Sequence, residues 1–189
     1  MNSTHSTTLP RRRMVAAGLG ALALGVSAAP KAAARPLLAR GMAGGGLAQF
    51  GDADDPLFAN FALFASSMQM PDGATLYLGQ IHWAEAGTGL VLTSEWINQC
   101  IPIAGRTDGA EVRGKITPDG ETRYPFLAYI FDAGTPGSGM DRVDLAVNTP
   151  EAQAFFPDDP IVDDFVYLAA GPLIAGDFQW IIRDIELDV

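Results

Sequence analysis

Cysteine is nearly absent: Cys100 is the only one in 189 residues. An intramolecular disulfide is therefore excluded, and so is a Cys-rich zinc site. Histidine is almost as scarce, with His5 near the start and His82 in the body of the chain. A transition-metal site built on several imidazoles is excluded with it. Any Ser-His-Asp triad would have to use His82, and no G-x-S-x-G elbow is present to supply its serine. Basic residues are few, 12 against 22 acidic ones, for a formal net charge of -10. Nucleic acid and anionic membrane surfaces repel such a chain and are excluded as partners. There is no EF-hand spacing, no repeat of 20 to 50 residues and no linker that would divide the chain after Gly41.

The few cations are unevenly placed. Six of the twelve precede Gly41, where no acidic residue occurs, so the remainder carries six basic against 22 acidic groups, a net of -16. A single lysine, Lys115, lies in that remainder. Residues 1–40 have the parts of an export signal: a polar start, Arg11-Arg12-Arg13, an apolar run from Met14 to Ala29, and small residues in which Ala32-Ala33-Ala34 fits the A-x-A cleavage pattern. The apolar run is too short and too rich in glycine for a spanning helix, which needs about 20 strongly apolar residues. The paired arginines followed by Met14-Val15 resemble a twin-arginine signal. The expectation is a cleaved leader over 1–40, a Tat translocase as partner during export, a periplasmic or extracellular destination, and no membrane span in what remains.

Residues 41–189 read as one all-β domain. Asp72-Gly73, Asp108-Gly109 and Asp119-Gly120 punctuate the chain as hairpin turns. Between them runs period-two alternation: Ala110, Val112, Gly114 and Ile116 against Glu111, Arg113, Lys115 and Thr117, and Val143, Leu145 and Val147 against Asp144 and Asn148. Tyr124 to Phe131 is apolar on both faces. Leu57 to Met68, Thr75 to Trp83 and Thr88 to Ile97 are further strands. Gly44 to Phe50, Phe165 to Ala169 and Leu173 to Ile182 complete the set, with a bulge at Gly176 and alternation again from Asp184 to Val189. Thr149 and Pro150 predict a short helix to Phe156, stopped by Pro157. About eight to ten antiparallel strands and one helix give a β-barrel or a β-sandwich.

A second resemblance rests on Gly44-Gly45-Gly46, Asn60 to Phe64, Gly79 to Trp83, Thr93-Ser94, Gly114, the segment Asp132-Ala133-Gly134-Thr135-Pro136-Gly137-Ser138-Gly139-Met140-Asp141, and Gly176 to Gln179. These features resemble a group of bacterial secreted all-β domains that follow choice-of-anchor domains. The resemblance implies an exported all-β fold. It implies no activity, since that group has no established chemistry.

Sites for chemistry are sparse. His82, Glu85 and Glu95 are the residues from which a hydrolase or isomerase would be built, and Glu85 with Glu95 would be a glycosidase-like pair. Asp132, Asp141 and Asp144 around the Gly/Pro loop offer hard oxygens suited to calcium, the one cofactor the sequence suggests. The acidic clusters Asp52, Asp54, Asp55 and Asp158, Asp159, Asp163, Asp164 read as solvated loops. Cys100, beside Ile101-Pro102-Ile103, reads as a buried thiol. If the barrel is hollow, Tyr77, Gln80, His82, Trp83 and Trp96 would line a ligand pocket. Three readings follow: a non-enzymatic exported domain that binds a protein or small-molecule partner, a lipocalin-like ligand carrier, and a small enzyme using His82 with a carboxylate. The first requires a filled core and an exposed patch. The second requires an internal cavity. The third requires an acid beside His82.

Overall fold

The computed structural model describes residues 37–70, 72–135, 138–159 and 164–185, with side chains placed as far as Ile181. It is an all-β barrel of eight antiparallel strands in sequential order, closed by pairing of the first strand with the last. The strands are β1 (Leu37–Asp52), β2 (Asp55–Gln69), β3 (Thr75–Glu85), β4 (Val91–Pro102), β5 (Gly109–Thr117), β6 (Tyr124–Phe131), β7 (Arg142–Val147) and β8 (Tyr167–Ile185). A single turn of helix, α1 (Pro150–Gln153), follows β7. Thr149 caps it by accepting from the Ala152 amide, and Pro150 stands in its first turn, as the sequence predicts; it ends before Phe156. No helix among the described residues is long and apolar enough to cross a membrane.

Eight strands result, at the low end of the expected range, because three C-terminal segments fuse. Most of the segment expected over Phe165–Ala169, the Leu173–Ile182 run and part of the final alternating run become one 19-residue strand that starts at Tyr167. The extra residue that keeps it in register is Ile174 rather than Gly176: Leu47 faces Ala175 and Ala48 faces Leu173. β1 starts at Leu37, so the barrel includes residues 37–40, which the sequence reading had placed in its expected leader. The arginine cluster and the A-x-A site lie outside the described residues.

An eight-stranded barrel has an interior just wide enough for side chains to fill. Alternation sends Phe61 and Leu63, Ile81 and Trp83, Val112 and Ile116, Phe126 and Ile130, and Leu145 inward, where they form one buried cluster. Trp83 is its largest member and is fully buried. Its ring meets Phe50 and Phe61 at centroid distances of 5.4 and 5.6 Å, and its Nε1–H donates to the Tyr167 hydroxyl at 2.9 Å. Burial, and then the Glu85 carboxylate, raise the Tyr167 phenol above its ordinary value, so it stays protonated. The turn between β5 and β6 is tied by Asp119, whose carboxylate accepts from the amides of Glu121 and Thr122 and from the Thr117 hydroxyl; the Glu121 amide first holds it down at about 2.

Closure depends on the glycines of β1. A Cβ on Gly46 would lie 1.8 Å from the Ala175 carbonyl oxygen, and one on Gly45 would lie 2.2 Å from that of Phe61. β1 is therefore wedged between two neighbouring backbones at a distance that only glycine allows. Gly46→Val should unzip the β1–β8 seam and cost about 3 kcal/mol, the upper end for overpacking. A thermal melt followed by circular dichroism checks this; an unchanged midpoint would mean that the seam tolerates a side chain.

Candidate functional site

The lower end of the barrel carries the β2–β3, β4–β5 and β6–β7 connections and a group of loop carboxylates. At the β6–β7 loop, β7 has six residues while its neighbour β8 has 19, and their ladder stops at the Arg142–Pro172 pair. Beyond that point β8 has no strand on this side. The loop carboxylates take over its amides. Asp141, buried, accepts from the Phe178 amide at 2.7 Å and from the Ala133 amide at 3.0 Å. Asp132 accepts from the Trp180 amide at 3.0 Å, and the Asp141 carbonyl accepts from the Leu173 amide at 2.8 Å. Asp144 accepts instead from Arg142 Nε at 2.7 Å. The Asp132–Asp141 segment thus continues the sheet with side-chain oxygens, which is why its two acids stand where they do.

Asp132, Asp141 and Asp144, from which a calcium site was expected, accept in this way from backbone amides and an arginine. Among the described residues no group of three or more His, Cys, Asp or Glu side chains is gathered to hold a metal ion. Asp141→Asn replaces a charged acceptor by an amide that turns a donor toward a buried N–H. The expected loss is about 3 kcal/mol, since hydrogen bonds to charged groups are worth about 1.5–3 kcal/mol each. The loss should be the same in excess calcium and in EDTA when read by thermal melting; a deficit seen only with calcium would restore the metal site.

The expected pocket residues also separate. His82 and Gln80 are on the outer face, and His82 Nδ1 lies 3.2 Å from the Thr93 hydroxyl. Glu85 accepts from Thr88 at 2.6 Å, and Glu95 is paired with Arg123 at 2.7 Å. Neither carboxylate is hydrogen-bonded to His82. Trp83 belongs to the packed core, and Trp96 lies on the surface under the Arg123 guanidinium, 5.0 Å from the ring centroid. Of the five, only Tyr77 faces a recess. The alternation had set Tyr77 and Trp83 on one face of β3 and Gln80 with His82 on the other, and that division holds.

The recess is the mouth of the barrel. β3 and β4 are ladder-paired only from His82 to Ala84, and β4 carries irregularities at Glu95 and Asn98. Ser94 Oγ continues the seam for one more step, accepting from the Ile81 amide at 2.7 Å. Below this the two strands part around a space of about 310 Å³. Leu38 and Arg40 of β1, Ser67 and Gln69 of β2, Thr75 and Tyr77 of β3, and Cys100 with Pro102 of β4 line it. Cys100 forms its floor, 1% exposed, with its thiol directed at the Ala65 carbonyl at 3.5 Å. Burial pushes that thiol up to about 11. The native fold therefore binds the thiol proton more tightly than the unfolded chain does, and stability falls as pH rises from about 9 toward 11. Because thiolate fraction scales tenfold per unit, labelling by a disulfide reagent should be at least about 100-fold slower in the native protein than in denaturant. Equal rates would mean that the floor is open.

Two stretches of the outer surface are apolar. One is a shallow groove of about 350 Å³ over β6, β7 and β8, lined by Leu127, Tyr129, Ala146, Leu168 and Ala170 with Asp144 at its side. The other is the outer wall of β1, β2 and β3. Its outward positions run Ala39 to Gln49, Asn60 to Met68 and Leu76 to Ala84, and none of them is Asp, Glu, Lys or Arg. Phe64, Leu78 and Leu76 stand out of it at 52, 46 and 43% exposure. Sequence reading had assigned these alternating residues to strands without marking their outer face as a surface of its own. The signal was present: no charged residue occurs between Asp55 and Glu85 except Asp72 in a turn.

The class is thus a closed, eight-stranded, up-and-down antiparallel barrel with a filled middle, a polar mouth and one uncharged wall. No family model, curated protein or solved structure matches the chain.

Proposed function

We propose that the protein is an exported, non-enzymatic binding domain that works by docking protein onto the β1–β2–β3 wall, and that its partner there is a second copy of the same chain. The observation that carries this reading is the absence of charge on a wall that exposes Phe64, Leu76 and Leu78. Large apolar side chains grouped in the open mark interaction surfaces. The choice of partner follows from charge. Each copy carries a net -10, and -16 after residue 40, so two copies repel through every acidic face. The uncharged wall is the face on which like molecules can meet without that cost. Three strands about 4.8 Å apart and about 11 residues long cover roughly 500 Å². Two copies would bury roughly 1,000 Å² in all, the lower bound for a specific interface, which suits a dimer that dissociates when dilute.

Export by the twin-arginine route is part of the proposal, supported by the basic leader sequence. The resemblance to secreted all-β domains supports the same placement. His82, with a hydroxyl rather than a carboxylate beside it, favours the non-enzymatic reading over a hydrolase or isomerase.

Sedimentation equilibrium of the chain tests the wall. The expected result is a monomer–dimer equilibrium in the micromolar range that Phe64→Asp shifts to monomer without lowering the melting temperature. A wild-type chain that stays monomeric at 0.1–1 mM, roughly the weakest range of transient complexes, would overturn it.

A further inference from the structure

Among the described side chains, the mouth of the barrel contains a cation that no carboxylate meets. Arg106, Arg113, Lys115, Arg123 and Arg142 each meet a carboxylate: Asp108, Glu111, Asp159, Glu95 and Asp144. Arg40 is the one cation among the described side chains that meets none. Arg40 also has a defined direction, because it shares the inward face of β1 with buried Met42 and lines the recess. The other groups there complement an anion and its body. Ser67, Thr75 and Tyr77 bring hydroxyls and Gln69 an amide, while Leu38, Ile101 and Pro102 form an apolar side.

We propose that this recess binds a small organic acid, with its carboxylate on the Arg40 guanidinium and a short apolar or aromatic body against Leu38, Ile101 and Pro102. A guanidinium presents two parallel N–H groups to a carboxylate, which fixes the orientation of the acid as well as neutralising it. The volume of about 310 Å³ sits at the small end of ligand pockets and admits a body of one ring. The buried Cys100 thiol stays protonated at the floor, so no second negative charge faces the carboxylate from below. The site is on the inward face and its operation is independent of the outer wall.

The test is a titration of the ¹⁵N-labelled full chain with phenylacetate, with the uncharged phenylacetamide and with inorganic phosphate. Phenylacetate should shift the amides around Arg40, Ser67 and Tyr77, and bind at least tenfold more tightly than either comparator. Arg40→Gln should remove that preference, Arg40→Lys should keep part of it, and Phe64→Asp on the wall should leave it unchanged. Acid and amide binding alike, phosphate binding as well as phenylacetate, or no shifts at the mouth would each overturn the assignment. The backbone of Asp184 stands opposite Leu38, two residues from Arg40. If Arg40→Gln and Asp184→Asn lower the melting temperature equally while phenylacetate binding is unaltered, Arg40 is a structural partner of β8 and the proposal fails.

Discussion

The contact on which the barrel depends is the approach of β1 to its two neighbours. Apart from the β1–β8 closing seam, each strand pairs with the one next to it in sequence, mostly across a short connection. β1 and β8 must find each other across the length of the domain. Non-local pairing carries the loop-closure cost of the whole intervening chain, and it has to be recovered in one ladder. Glycines at 44, 45 and 46 allow backbones to approach where a Cβ would lie about 2 Å from a carbonyl oxygen. Without that approach the sheet would be open, with two long free edges prone to pair with other chains.

Closure then sets a second demand. β8 is 19 residues long because it must span β1, while β7 is six because the β6–β7 loop turns early. The amides left over on β8 would go without partners, and Asp132 and Asp141 take two of them. Acids that looked like metal ligands in sequence are therefore part of the hydrogen-bond ladder. The same economy leaves the β3–β4 seam short of pairs at its lower end, and the mouth recess results.

Much of the fold was legible from residue order. Alternation at Ala110–Thr117 and Val143–Val147, the two-sided apolar run at Tyr124–Phe131, and the Asp-Gly turns gave strands close to those observed, and Thr149-Pro150 marked the helix start. These signals are local: each depends on neighbours two to four residues away. The site was less legible. Tyr77 faces the mouth as the period-two pattern of β3 allows, but Gln80, His82 and Trp96 lie outside and Trp83 is in the packed core. Arg40 was read as part of a leader, because its neighbours are basic and small; its place in β1 depends on pairing with Ser67 and Ile182, far along the chain.

By itself, the sequence determined strand character, turn positions, the lack of an intramolecular disulfide and of a multi-histidine metal site, and the acidity, because composition and short-range periodicity carry them. Only the tertiary structure decided that the sheet closes, that three C-terminal segments are one strand, that the loop acids serve β8, and that Arg40 alone among the described cations lacks a carboxylate. Each of these depends on which strand stands beside which. That pairing is fixed by the fit of whole strands around a filled interior, and no residue carries it alone.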